Sequence, residues 1–248
     1  MKQIKNYIFS IICLSGLIWS CSTETESLDD STFGYQYYPL AIGKVWEYRM
    51  DSILFDTIFR ATKDTTISYY KEEIKDTVRS TSGELLFKID IFHKNDSLAA
   101  WNLIGSSFIL KDPYQLTKIE NGLRFIKLIF PIAKNRSWNG NSQVNEKTVI
   151  KIRGEEFEAY RNWSYFYNKI NQEATILNKA YTKVLEVQEA DDENLAEKRS
   201  SYAKYAEGIG LIYKEQWFLG TELLDDKIAW ENRAQRGVII RQYLITHR

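Results

Sequence analysis

The chain has 248 residues with 33 basic and 33 acidic side chains, 14% aromatic residues, two histidines and two cysteines. That balance offers no basic field for nucleic acid, and two histidines leave metal and triad chemistry short of ligands. The folded part must hold itself by core burial, because neither cysteine can serve an internal disulfide once the first segment is read.

Lys2 and Lys5 precede an apolar run from Tyr7 to Trp19, which is too short to span a bilayer as a stable helix. The run ends in Leu17-Ile18-Trp19-Ser20-Cys21, a small residue directly before a cysteine. Residues 1–20 therefore read as a lipoprotein signal peptide, with Cys21 the acylated residue and Cys13 lost with the leader. Cleavage leaves 31 basic and 33 acidic side chains. Several acyl chains, at about 0.8 kcal/mol per buried methylene, anchor permanently, so the membrane partner is reached through the N-terminal lipid alone. The expected location is the cell envelope, at the outer membrane.

Residues 21–32 carry Glu24, Glu26, Asp29 and Asp30 with no apolar period, and read as an acidic tether. Residues 33–248 read as one β-rich domain. Trp46, Tyr48 and Met50 alternate with Glu47, Arg49 and Asp51; Leu85, Phe87, Ile89 and Ile91 alternate with Lys88 and Asp90; Val238, Ile240 and Leu244 repeat the pattern. Asn121-Gly122 supplies the positive φ angles of a tight hairpin, and Asn139-Gly140 and the Gly208/Gly210 pair are two further candidate reversals. The absence of alternating strand and helix units excludes a parallel sheet. The predicted fold is mainly β: an antiparallel meander forming a curved sheet, barrel or half-barrel, with at most one or two short helices. Residues 160–177 satisfy two periods. Tyr160, Trp163, Tyr167, Ile170, Ala174 and Leu177 fit a helix, whereas Trp163, Tyr165 and Tyr167 fit a strand.

Catalytic motifs are missing: there is no HExxH, CxxC, GxSxG or phosphate loop, and His93 and His247 stand alone. No metal site and no cofactor is expected. The densest acids, Glu155-Glu156 and Asp191-Asp192-Glu193, are adjacent in sequence, as solvated loops are, rather than spaced across a scissile bond. Six of the 13 aspartates precede Ser or Thr, at Ser31, Ser52, Thr57, Thr65, Thr77 and Ser97. These tripeptides resemble the Asp-Ser/Thr-aliphatic sites of O-linked glycans on exported Bacteroidota proteins, which makes the six hydroxyls candidate glycosylation sites. The competing account is turn preference.

The stretch Tyr37-Tyr38-Pro39-Leu40-Ala41-Ile42-Gly43-Lys44-Val45-Trp46-Glu47-Tyr48 resembles the opening of a Bacteroidota outer-membrane lipoprotein family. Phe130-Pro131, Trp138-Asn139-Gly140-Asn141 and Tyr202 to Glu215 resemble its middle and closing segments. The resemblance spans most of residues 37–218 and implies an envelope lipoprotein without assigning an activity. Trp46, Trp138 and Trp217 are the candidate ligand-facing aromatics, against the plainer reading of core. Three functions fit. The first is a non-catalytic envelope lipoprotein binding a partner protein or an apolar ligand. The second is a glycan hydrolase using two carboxylates, and the third a structural accessory subunit of an outer-membrane assembly.

Overall fold

The computed structural model describes residues 33–56 and 62–248; Cys21, Ser31 and Thr57 lie outside them. Fourteen strands are described: β1 (Val45–Asp56), β2 (Thr62–Arg79), β3 (Leu85–Lys94), β4 (Asn102–Lys111), β5 (Gln115–Glu120), β6 (Leu123–Ile129), β7 (Ser137–Trp138), β8 (Val149–Ile152), β9 (Glu155–Glu158), β10 (Tyr165–Ile176), β11 (Lys179–Glu193), β12 (Glu197–Ala206), β13 (Gly210–Gly220) and β14 (Arg236–His247). Among the described residues the helical elements are a 3-10 turn at Tyr35–Tyr37 and the four-residue α1 (Trp230–Arg233). Strand makes up 63% of the described residues, far above the 20–25% of ordinary domains, which decides the class as mainly β.

Twelve strands form one antiparallel sheet in the order β6-β5-β4-β3-β2-β1-β14-β13-β12-β11-β10-β7, while β8 and β9 form a separate hairpin. The order is a meander cut open in its middle, since the first and last long strands pair from Trp46↔His247 to Asp56↔Arg236. The sheet curls into a nearly closed barrel. Its two edges approach each other: Ile126 N–H donates to the Gly140 carbonyl at 2.8 Å, and Trp138 Nε1 to the Ile126 carbonyl at 2.8 Å.

Alternation sets which side chains enter the barrel. At the end where β1 begins, Tyr38, Trp46, Tyr48, Ile74, Ile89, Ile109, Leu116, Leu128 and Tyr205 form a continuous core. Trp46 Nε1 donates to the Ile209 carbonyl at 2.7 Å and the Tyr48 hydroxyl to the Leu211 carbonyl at 3.2 Å, so both aromatics bury without an orphaned donor. The start of β1 and the turn into β13 thus meet at this end of the barrel. Gly208 and Gly210 sit at φ 75° and 109°, as the predicted reversal requires, and a β-carbon on Gly210 would lie 3.2 Å from Trp46 Nε1.

Of residues 160–177, Tyr165–Ile176 form strand β10, which places Tyr165 and Tyr167 in the core, and 160–164 are a turn leading into it. The helical spacing lost because the inward positions of a strand here pay for burial with large aromatics, whose alternation starts at Trp163. Asn121-Gly122 is the hairpin expected, at φ 51° and 77°. Asn139-Gly140 is not a strand reversal. Gly140 lacks positive φ and is instead covered by the Tyr165 ring, which a β-carbon would meet at 2.4 Å.

Candidate functional site

The opposite end of the barrel is filled unevenly: Leu54, Phe157, Trp163, Phe218 and Val238 continue the apolar core there, but space remains along β1 to β5. Strands β1 to β4 extend past the short β5 and its turn, leaving an interior cleft of about 410 Å³. Met50, Tyr70, Ile91 and Ile104 supply its apolar lining, and Glu72, Ser106, Ser107, Glu120 and Asn121 its polar lining. The size falls in the range of small-molecule sites. Gly105 also lines the cleft, and a β-carbon built on it meets nothing within 4 Å. A smaller adjoining hollow of about 110 Å³ shares Glu120 and Asn121 and reaches Phe125, Lys127, Tyr160, Trp163 and Lys214.

The floor between the cleft and the aromatic core carries six charges. Lys118 Nζ lies 2.7 Å from Glu72 Oε1 and 2.6 Å from Glu120 Oε1, so one ammonium holds two carboxylates. Across the barrel, Lys127 Nζ donates to Glu189 Oε1 at 2.9 Å, the Ser201 hydroxyl donates to Glu189 Oε2 at 2.7 Å, and Lys214 lies 3.7 Å from the same oxygen. Burial would raise Glu189, but Lys127, Lys214 and the Ser201 hydroxyl overcome it and hold the carboxyl down to about 2. Glu120 is likewise held to about 2 against its burial, by Lys118, Lys214 and Lys127. Burial pulls Lys127 down to about 8, with Lys214 repelling it and Glu189 opposing the fall. Lys118 stays well above the usual lysine value, because Glu120 and Glu72 outweigh its burial.

This arrangement fits glycosidase chemistry poorly. A general acid needs a carboxyl whose proton is retained near neutrality, whereas Glu120 is pushed the other way and shares its lysine with Glu72. The acid clusters prominent in the sequence are tied into ion pairs: Glu155 with Arg236, Glu156 with Lys151, Asp192 with the buried Arg199 and Glu193 with Lys198. Among the described residues no group of three or more His, Cys, Asp or Glu is placed to hold a metal ion.

None of the three candidate tryptophans lines the cleft. Trp46 is in the closed-end core, Trp138 is half-buried at the β7 edge against Tyr165 and Tyr167, and Trp217 lies half-buried beside Glu215, to which its Nε1 donates. Of the candidate glycosylation sites, Thr65 and Ser97 are exposed, while Ser52 and Thr77 are half-buried within strands. Sequence reasoning passed over Glu72, Ser107, Lys118, Glu120, Lys127 and Glu189. The available signal was a charge in the inward phase of a strand, as at Tyr70-Glu72-Ile74 and Leu116-Lys118-Glu120, where an apolar residue is expected.

No protein-family model matches the chain, nor does any curated protein. Solved structures to which it is similar include a candidate lipoprotein from Parabacteroides distasonis, at 13% identity and TM-score 0.38, over 89% of this chain and 100% of that one. A candidate exported protein with a YmcC-like fold from Bacteroides fragilis matches at 11% identity and TM-score 0.35, over 85% and 98%. A candidate outer-membrane lipoprotein-sorting domain from Vibrio parahaemolyticus matches at 10% identity and TM-score 0.22, over 86% and 87%. At these scores the functional case rests on the chain's own geometry.

Proposed function

We propose that this chain is a non-catalytic, lipid-anchored envelope protein, acylated at Cys21, whose β barrel binds a small apolar or amphiphilic ligand in the cleft at its open end. The carrying observation is the cleft itself: about 410 Å³ left inside the barrel at the end away from the Trp46 and Tyr48 core, lined by Met50, Tyr70, Ile91 and Ile104. The rim adds apolar surface, with Leu98 95% exposed at the turn after β3 and Leu103 and Ile104 exposed on β4. The described chain enters through Tyr35–Tyr37 at the closed end, where Gly208 N–H donates to the Gln36 carbonyl. The cleft therefore opens away from the point at which the tether joins.

Two measurements test this reading. Residues 21–248, made without the export segment, are expected to bind the fluorescent apolar probe N-phenyl-1-naphthylamine saturably at one site. Gly105→Phe fills open space without backbone strain and abolishes that binding while leaving the thermal melt intact. Probe binding that is unsaturable, or unaffected by Gly105→Phe, contradicts the ligand site. For the anchor, Cys21→Ala in a Gram-negative host is expected to leave an unprocessed precursor lacking lipid; a variant still cleaved there and still partitioning as a lipoprotein rejects acylation at Cys21.

A further inference from the structure

The cleft's polar floor is asymmetric. Its two charged lining groups, Glu72 and Glu120, are both carboxylates. Lys118, which bonds them, does not line the cleft and spends itself on both. The other two interior lysines, Lys127 and Lys214, are directed to Glu189. The charged groups that face the cleft are thus both hydrogen-bond acceptors, while the three lysines that balance the three interior carboxylates lie behind the lining.

A second observation is independent of these acids. Ser107 is only 1% exposed, lines the same cleft from β4, and its hydroxyl has no hydrogen-bond partner. Leaving a buried hydroxyl unpaired costs about 1–3 kcal/mol. Ser107 shares the inward face of the sheet with its cross-strand partner Ile89 and with Ile109, where an apolar residue would pack without that penalty. A hydroxyl kept there without a partner is complementary to a polar group that arrives with a ligand. Tyr70 adds an aromatic face to the wall beside Glu72, its ring 4.8 Å from that of His93.

We infer that the cleft selects an amphiphile with an ammonium head: the head sits among Glu72, Glu120 and the Ser107 hydroxyl, and the alkyl part lies along Met50, Ile91 and Ile104. An ammonium brings donors for both carboxylates and for the serine oxygen, and its charge is opposite to that of the two acids lining the cleft. A carboxylate or sulfate head would face two like charges. A hydroxyl head could satisfy Ser107 but would offer the two acids only a neutral donor. This inference rests on the ligand-binding reading above and goes beyond it only in the chemistry of the head.

The test is displacement of N-phenyl-1-naphthylamine from residues 21–248 at neutral pH by n-decylammonium, n-decanol and n-decanoate, each below its micelle concentration. The expected order is decylammonium tightest by about tenfold over decanol, with decanoate weakest. Ser107→Ala is expected to weaken decylammonium about three- to tenfold and leave decanoate within twofold. Its melting temperature should be unchanged or raised, because the hydroxyl it removes is unpaired in the free protein. Glu120→Gln, at a third-exposed position, should narrow the preference for ammonium over decanol. Equal displacement by the three compounds, or preference for decanoate, overturns the head-group assignment while leaving the apolar site standing. Failure of the probe itself to bind overturns both.

Discussion

The two ends of the barrel solve the same packing problem in opposite ways. At the closed end, Tyr38, Trp46, Tyr48 and Tyr205 fill the interior, with the Trp46 N–H and Tyr48 hydroxyl given backbone acceptors. At the open end the interior positions hold carboxylates and ammoniums that satisfy one another, and space is left above them. Aromatic packing supplies net stability, whereas a buried ion network at best recovers its own desolvation. The contrast separates a region maintained for the fold from one maintained at some expense to it, which is where a ligand site is expected.

The largest effect that separates the ends is a core truncation. Trp46→Ala is expected to lower unfolding free energy by about 3–5 kcal/mol, read from the urea midpoint, because it leaves a cavity and orphans the Ile209 carbonyl. A loss below about 1 kcal/mol would mean that the aromatic plug does not carry the fold.

The pH response should divide in the same way. Glu189 and Glu120 are held to about 2 in the folded state, below the ordinary carboxylate value, so the unfolded chain binds protons first as pH falls. Their stabilisation is complete above about pH 4.5 and is lost as pH falls towards 2; for the fully buried Glu189 it is on the order of 3 kcal/mol, and less for the third-exposed Glu120. At the closed end burial raises Tyr38, Tyr48 and Tyr205, so the folded protein keeps protons that the unfolded chain releases. That contribution is present below pH 10 and is lost as pH rises beyond it. Melting temperature measured from pH 2 to 12 should fall at both extremes, and Glu189→Gln should flatten the acid limb more than the alkaline one. An acid limb unchanged in that variant would show that the network does not govern acid stability.

A smaller effect belongs to the open end. Gly105→Phe, which places a ring in the cleft, is expected to change the urea midpoint little or raise it by up to about 1 kcal/mol, since glycine weakens a strand interior. A loss of several kcal/mol would mean that the space is already occupied by packing.

The architecture was legible where chain chemistry is local. Alternation in β1, β3 and β14 and the two positive φ angles at Asn121-Gly122 act within a few residues, and both were readable. The hairpin between β10 and β11 turns through Leu177-Asn178 at φ 46° and 66°, and leucine gives no sign of such a conformation. Nor could adjacency of residues reveal the cleft, because Glu72, Ser107 and Lys118 come from three strands and meet only when the sheet curls. Trp46 stood out in the sequence for its size, and its role is in the plug; the groups lining the cleft are individually ordinary.

The most direct measurement of the central claim is methyl-detected NMR of residues 21–248 titrated with n-decylammonium, which reports both ends of the barrel at once. Saturable shifts in the methyl groups of Met50, Ile91 and Ile104, with those of Leu128 and Ile212 in the closed-end core unmoved, are the predicted result. Shifts spread evenly over both sets, or confined to Leu128 and Ile212, would contradict the claim that the open end is the binding site.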